Sequence, residues 1–217
     1  WLERIKKERP DVIAIETKTP VIKRHWEIIK DLKGLESGGW RLVTVLMGDH
    51  VTAMPEESMQ ESKVDFVLTG GDYDFLLLNL CNVIKDAPSL SPFALRPSPN
   101  LEPGIWYRRN GQIKNTGQFQ LNHNLDTLPF IDRDLTKWRL YSEKNGNYKR
   151  LPGTYTMVGR DCWYHKCSFC SWTTTYPQFR TRRPESLLDE TGMLIEKYGV
   201  KEIMDDTGTF PVGEWLR

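Results

Sequence analysis

Short apolar runs alternate with longer amphipathic segments through the first half of the chain. The run at 11–17 predicts a buried strand, because it is short, rich in β-branched residues and preceded by a proline. Apolar residues at helical spacing then predict a helix over 20–33. Two further strands are predicted at 41–47 and 65–69, and a leucine-rich helix at 73–85. Strands and helices that alternate at these intervals indicate parallel βαβ units.

Each of these three strands ends in a loop of small or polar residues. In sheets of parallel strands, ligands bind at the carboxyl ends of the strands, so three such loops predict a binding crevice. The candidate ligand-contacting residues at these ends are Thr17, Lys18, Thr19, Gly48, Asp49, His50, Thr52, Gly70, Gly71 and Asp72. On the simpler interpretation the loops are ordinary connections, and their glycines only satisfy a positive φ.

The middle of the chain is less regular. Residues 86–102 are rich in proline and serine, which predicts a linker. The dipeptide Asn110-Gly111 predicts the type I′ turn of a hairpin over 104–116. The irregular pattern over 121–150 indicates an extended connection.

A second α/β unit is predicted towards the end of the chain. A strand at 154–158 leads into a cysteine-rich loop, a helix begins at Pro184 and ends at Gly199, and another strand covers 201–204. Polar residues follow that last strand directly, namely Asp205, Asp206 and Thr207. The chain therefore divides into three predicted segments, an α/β domain at 1–88, a linker with a hairpin at 89–150 and the second unit at 151–217.

Composition narrows the class of protein. The 217 residues are 39% hydrophobic and 27% charged, with a net charge of +1, which gives no bias towards nucleic acid or an anionic membrane surface. The four cysteines do not form the pattern of a disulfide framework, so we expect a reducing, cytoplasmic setting. Cys81 lies on an apolar helix face and is expected to be a small buried residue. Because the chain starts without methionine, we expect both ends to be cut from a longer protein.

The other three cysteines, Cys162, Cys167 and Cys170, lie within one short run. Thiolates are the ligands of iron–sulfur clusters, and three of them can bind three irons of a cubane and leave the fourth iron open. A structural zinc is the alternative, with His165 or His123 as a fourth ligand. A redox-active Cys-x-x-Cys pair is a third interpretation, but it leaves Cys162 without a role.

Several segments resemble the framework of the cobalamin-binding radical SAM enzymes. They are the hairpin residues 104–108, the segment 126–130, the run 179–185 and the cysteine loop, in which the aromatic Phe169 precedes the last cysteine. Most members of that family have three residues between the first two cysteines, whereas this chain has four. The resemblance extends through nearly the whole chain.

This resemblance implies a Rossmann- or flavodoxin-like parallel sheet domain followed by the first units of a partial (β/α) barrel. It implies a [4Fe-4S] cluster on the three cysteines, with Phe169 beside it, and S-adenosylmethionine whose amino group meets the loop at 205–207. One electron then cleaves S-adenosylmethionine to methionine and a 5′-deoxyadenosyl radical. Cobalamin is implied as a second cofactor at the strand ends of the first domain. The Asp-x-His-x-x-Gly signature of a lower axial histidine is not found, because His50 follows Asp49 directly.

We therefore expect a radical SAM enzyme that uses cobalamin, with methyl transfer as a candidate reaction. The expected partners are a small-molecule substrate and a one-electron donor such as flavodoxin or ferredoxin, with no nucleic acid and no membrane. With only about two barrel strands present, we expect this chain to be inactive alone. The alternatives are a non-catalytic α/β binding domain with a zinc-stabilised Cys₃His knuckle, or a cluster enzyme whose α/β half binds no cobalamin.

Overall fold

The computed structural model describes residues 1–37, 39–86, 101–144, 147–160 and 162–216. Its strands are β1 (Val12–Glu16), β2 (Val43–Met47), β3 (Phe66–Leu68), β4 (Ile105–Arg109), β5 (Gln112–Asn115), β6 (Gly153–Thr156), β7 (Gly159–Arg160), β8 (Arg180–Thr181) and β9 (Glu202–Asp205). Its helices are α1 (Leu2–Glu8), α2 (Ile22–Lys33), α3 (Asp49–Ala53), α4 (Pro55–Glu61), α5 (Tyr73–Asp86), α6 (Trp138–Glu143), α7 (Trp172–Thr175) and α8 (Pro184–Tyr198).

The chain folds into two compact units that are not simple consecutive halves. The first unit comprises Trp1–Asn122 together with Phe169–Thr175. The second comprises His123–Ser168 and Tyr176–Arg217. The predicted linker lies almost entirely outside the described residues, because 87–100 are not described.

The first unit is built on a five-stranded sheet in the order β1-β2-β3-β4-β5. β1, β2 and β3 are parallel, with Val12 opposite Val43 and Val45 opposite Phe66. β4 and β5 continue the sheet in antiparallel orientation. The predicted hairpin is confirmed, since Asn110 and Gly111 have φ of 51° and 75°, which a type I′ turn requires.

Apolar residues cover both faces of this sheet, which explains the nearly continuous apolar runs of its strands. Successive residues of a strand point to opposite faces. On one face Val45 and Phe66 pack with Leu80 of α5. On the other face Val67 packs with Ile29 of α2 and the remaining members of a second cluster. Helices on both faces bury β2 and β3, whereas the edge strands β1 and β5 are partly exposed.

The second unit contains the start of another parallel sheet. β6 pairs with β9 in parallel, and β7 pairs with β8 in antiparallel orientation. α8 has Pro184 in its first turn and ends at Gly199, whose φ of 66° is the left-handed conformation of a helix C-cap, as the sequence predicts. Leu194, Tyr198 and Val200 form the buried cluster under this helix.

Part of the segment expected to be irregular, 121–150, is helical. α6 lies there, and the indole of Trp138 packs edge-on against the ring of Tyr198 at 5.1 Å between centroids. An ion pair between Arg139 and Glu143, four residues apart, adds support to the helix. Tertiary packing of Trp138 therefore stabilises a helix that the local pattern alone does not predict. None of the helices in the described ranges has both the length and the apolar composition needed to cross a membrane.

Candidate functional site

The end of β1 brings a buried hydroxyl to the carboxyl edge of the first sheet. Thr17 is fully buried, and its N–H donates to the carbonyl of Met47 at 2.7 Å. Among the described residues, its Oγ1 has no hydrogen-bond partner. Lys18 and Thr19, the next two predicted residues, are exposed. A buried hydroxyl without a partner costs free energy, which makes Thr17 a candidate for a hydrogen bond to a ligand's polar group.

The turn after β2 depends on Gly48. Its φ of 110° is open to glycine and strained for other residues, and a Cβ there would lie 2.6 Å from the carbonyl oxygen of Thr17. Residues 49–53 were expected to form a loop, but they form the short helix α3. The physical reason is a pair of backbone bonds, from Thr52 N–H to the Gly48 carbonyl at 3.1 Å and from Met54 N–H to the His50 carbonyl at 2.8 Å.

Replacing Gly48 with alanine is expected to reduce the free energy of unfolding by about 3 kcal/mol, through backbone strain and the clash with Thr17. Gly111→Ala is the matched control, because Gly111 also has positive φ but a Cβ there has nothing within 4 Å. We expect the control to cost only about 1–2 kcal/mol. Urea unfolding of both variants measures the difference, and equal losses would show that the close approach at Gly48 has no energetic consequence.

His50 is held by protein partners on both ring nitrogens. Nδ1 lies 3.2 Å from Oγ1 of Thr19, and Nε2 lies 2.9 Å from Oε2 of Glu57. The side chain is only 6% exposed. This arrangement favours a structural role for His50, in which it connects the ends of β1 and β2 to α4.

The third loop is packed closely by the protein itself. A Cβ on Gly70 would collide with the ring of Phe119, and Gly70 has a φ of 84°. The Gly70 N–H donates to Oγ1 of Thr52 at 3.0 Å, and that hydroxyl donates to the Gly48 carbonyl at 2.8 Å. Asp72 is 2% exposed. The structure thus brings the three predicted strand ends together, with their glycines serving close packing within the unit.

The residues just after the last cysteine also lie at this edge of the sheet. Gly71 N–H donates to the carbonyl of Thr175 at 2.8 Å. The carboxylate of Asp49 accepts hydrogen bonds from the hydroxyls of Ser171 at 3.0 Å and Thr175 at 3.3 Å. Ser171, Thr175 and Phe119 are site residues that the sequence analysis missed, because contacts over such separations leave no periodic signal.

The cysteine loop begins after β7. Cys162, Cys167 and Cys170 are free thiols of intermediate burial, and Phe169 is 89% exposed. His165 adopts a left-handed backbone with φ of 51°, so the chain turns sharply inside the four-residue spacer. Within the described ranges, no three His, Cys, Asp or Glu side chains are grouped as they would be around a metal ion.

The polar residues after β9 fix the point where the cysteine loop starts. Thr207 Oγ1 accepts from the N–H groups of Val158 at 2.9 Å and Gly159 at 3.1 Å. The same hydroxyl donates to Oδ1 of Asp205 at 2.7 Å, and that oxygen also accepts from Val158 N–H at 3.1 Å. Asp206 is exposed, and its backbone N–H donates to the Thr156 carbonyl at 2.9 Å. Asp205 and Thr207 therefore act as a clamp, whereas the Asp206 carboxylate faces solvent.

No protein-family model matches the chain. Individual proteins and solved structures do match it, over nearly its whole length. An uncharacterized methyltransferase from Pyrococcus horikoshii is 26% identical over 208 residues, which are 94% of this chain and 41% of the relative. The anaerobic magnesium-protoporphyrin IX monomethyl ester cyclase of Cereibacter sphaeroides is 26% identical over 200 residues, 91% of this chain and 30% of the relative. The chain thus spans less than half the length of these two relatives.

Solved structures of the radical S-adenosylmethionine methyltransferase TsrM from Kitasatospora setae have the same fold. One, with cobalamin and a [4Fe-4S] cluster bound, has a TM-score of 0.61 at 15% identity. Another, with tryptophan substrate and a S-adenosylmethionine analogue bound, has a TM-score of 0.62 at 16% identity. Both likenesses cover 94% of this chain and 39% of TsrM. The chain is thus similar in sequence to a methyltransferase and a cyclase, and similar in fold to a radical S-adenosylmethionine methyltransferase.

The predicted fold class is confirmed by the five-stranded α/β sheet and by the likeness to TsrM. The likeness to TsrM covers 94% of this chain, which contains both the α/β sheet of the first unit and the βαβ start of the second. The hairpin, predicted as part of the linker segment, lies in the sheet of the first unit. The predicted domain boundaries themselves stay a prediction.

Proposed function

We propose that this chain supplies the cofactor-binding part of a cobalamin-dependent radical SAM enzyme, with methyl transfer as the reaction class. The observation that supports this most directly is the set of three free thiols on one loop, which begins at a clamped strand end. The methyltransferase and cyclase relatives point to the same class of enzyme. The small-molecule substrate, the one-electron donor and the cytoplasmic setting remain parts of this proposal.

The donor chemistry of the loop fits an iron–sulfur cluster. Thiolates of Cys162, Cys167 and Cys170 would hold three irons and leave one iron for S-adenosylmethionine. When bound, the cluster supplies the electron that cleaves S-adenosylmethionine. The chain's own contribution is to hold the thiols, orient the cosubstrate and restrict water.

The two aspartates after β9 have different roles in this proposal. The Asp205 carboxylate is already engaged with Thr207 and the backbone of Val158. The Asp206 carboxylate is exposed and is therefore the group assigned to the methionyl ammonium, through a charge-assisted hydrogen bond. Asp205 and Thr207 would then act by holding the backbone at the start of the cysteine loop in place.

At the edge of the first sheet, the fit to cobalamin rests on Thr17. Its buried hydroxyl lacks a partner among the described residues, and cobalamin carries amide side chains that can supply one. Gly48 and Gly70 would act by allowing the strand ends to pack closely, since a Cβ at either position would clash with Thr17 or Phe119. His50 would remain a structural residue, with both ring nitrogens bonded to protein.

Anaerobic reconstitution with iron and sulfide tests the proposal. We expect about four irons per chain and a charge-transfer absorbance that S-adenosylmethionine perturbs. Titration with hydroxocobalamin should shift the visible spectrum of the cofactor. Retention of zinc without charge-transfer absorbance would favour the zinc-knuckle alternative, and cluster assembly without a cobalamin shift would remove cobalamin from the proposal.

Replacing Thr17 with valine tests whether the Thr17 hydroxyl binds a ligand or has a structural role. We expect the affinity for hydroxocobalamin to fall about tenfold, because one hydrogen bond is lost. Stability without cofactor should rise by about 1 kcal/mol, since an unpartnered buried hydroxyl is removed. Thr44→Val is the control, because the Thr44 hydroxyl donates to Asp65 at 2.9 Å and its loss should destabilise the protein without affecting cobalamin. An unchanged affinity in Thr17→Val would contradict the assignment.

A further inference from the structure

The segment that follows the last cysteine contacts the strand-end edge through the Asp49 carboxylate and the backbone N–H of Gly71. Asp49 Oδ2 accepts from the Ser171 hydroxyl at 3.0 Å. Asp49 Oδ1 lies 3.3 Å from the Thr175 hydroxyl, whose proton is shared with the Ser171 carbonyl at 3.2 Å. Thr175 is 1% exposed, and its carbonyl accepts from Gly71 N–H at 2.8 Å. All four residues belong to the first unit.

Asp49 is itself held firmly on the sheet side. It is the first residue of α3 and follows Gly48, whose conformation leaves no room for a side chain against Thr17. The hydroxyl of Thr52 joins the Gly48 carbonyl to the N–H of Gly70. The Asp49 carboxylate therefore lies next to a turn whose backbone is fixed by Gly48 and Thr52.

Ser171 and Thr175, the two residues bonded to Asp49, are close to Cys170 in the chain. Ser171 follows Cys170 directly, and its carbonyl accepts from the N–H groups of Thr174 at 3.0 Å and Thr175 at 3.1 Å. The Cys170 carbonyl accepts from the hydroxyl of Thr173 at 2.8 Å. The backbone of Cys170 is thus part of the turn that begins α7, and Asp49 fixes that turn to the sheet.

We infer that Asp49 is a positioning residue for Cys170, setting the place and the mobility of the third thiol through Ser171 and Thr175. As far as it concerns a bound cluster, this inference rests on the proposed function. A carboxylate that accepts two hydroxyl bonds is a stronger anchor than a neutral acceptor would be. Partners that orient a metal ligand indirectly change metal affinity by about 10- to 100-fold when they are removed.

Thiol labelling of the metal-free protein tests the positioning without any cofactor. In Asp49→Ala we expect Cys170 to react with a maleimide several-fold faster than in the unmodified protein, while Cys162 keeps its rate. Asp49→Asn should lie between the two, because its amide oxygen still accepts one bond. Glu27→Gln is the control, since Glu27 is an exposed carboxylate of the same unit that pairs only with Arg24 in the described contacts. Equal Cys170 rates in all four proteins would overturn the inference.

Iron release then tests the consequence for the cluster. After reconstitution, Asp49→Ala should lose iron to a chelator about 10- to 100-fold faster than the unmodified protein, with an altered electron paramagnetic resonance spectrum in the reduced state. Asp49→Asn should restore part of the retention. Identical release rates and spectra would overturn the role of Asp49 while leaving the proposed function intact. Failure of the unmodified protein to assemble a cluster would instead overturn the proposed function, and the labelling result would still decide the positioning of Cys170.

A less disruptive substitution, Ser171→Ala, tests the inference if Asp49→Ala does not fold. Ser171→Ala removes one of the two bonds and leaves the Thr175 contact in place. We expect it to increase Cys170 labelling and iron release by a smaller factor than Asp49→Ala. Unchanged labelling and release in Ser171→Ala would contradict the transmission through Ser171.

Discussion

Replacing Cys167 with alanine is expected to lower the iron bound after reconstitution from about four per chain to less than one. The reason is that a cubane held by three thiolates already has one iron without a protein ligand. With only two thiolates left, two irons are open to solvent and chelator, and the cluster is lost. Cys162→Ala and Cys170→Ala should have the same effect. Iron analysis and the visible absorbance of the anaerobically reconstituted protein measure it.

Cys81→Ala is the matched control for these substitutions. Cys81 is a free cysteine on α5, and burial raises the pKa of its thiol, which keeps it protonated and unreactive. This variant should therefore retain the full iron content. Normal iron in Cys167→Ala, or iron loss in Cys81→Ala, would contradict the assignment of the cluster to the loop.

Replacing Glu190 with alanine is expected to destabilise the second unit by about 3–5 kcal/mol. The Glu190 side chain is 3% exposed and pairs with Arg182 at 2.6 Å, while Arg133 lies 3.7 Å away. Its Oε2 also accepts from the Thr156 hydroxyl at 2.8 Å. Removing the carboxylate leaves two guanidinium groups together in a largely buried place, which is more costly than losing a surface pair.

Urea unfolding followed by tryptophan fluorescence measures this loss. Glu196→Ala is the control, because Glu196 is an exposed carboxylate on the same helix, and we expect it to change stability by less than about 0.5 kcal/mol. A similar small change in Glu190→Ala would show that the buried network has no net stabilising role.

The buried strands and long helices follow from local pattern alone. Apolar runs with β-branched residues identified β2 and β3, and both lie within two residues of the predicted bounds. α8 begins and ends as predicted because Pro184 and Gly199 have intrinsic conformational preferences that need no tertiary partner. These preferences are encoded within a few residues, so the sequence alone reveals them.

Other features depend on contacts between distant residues. α7 lies against α3 through hydrogen bonds from Ser171 and Thr175 to Asp49, more than one hundred positions earlier. The engagement of His50 by Thr19 and Glu57 is equally invisible in a linear pattern. The clamp of Asp205 and Thr207 on Val158 illustrates the same limit, because residue types at a strand end indicate a polar site without showing whether a ligand or the backbone takes those groups.

The membership of Phe169–Thr175 in the first unit has a consequence for biosynthesis. A ribosome makes the chain from the N-terminus, so the sheet of the first unit emerges well before the segment that covers Asp49 and Gly71. Until residue 175 leaves the exit tunnel, the Gly71 N–H and the Asp49 carboxylate lack the partners they have in the finished fold. The first unit therefore completes its hydrogen bonding only after much of the second has been synthesised, and a chain ended at Asn122 would not be equivalent to this unit.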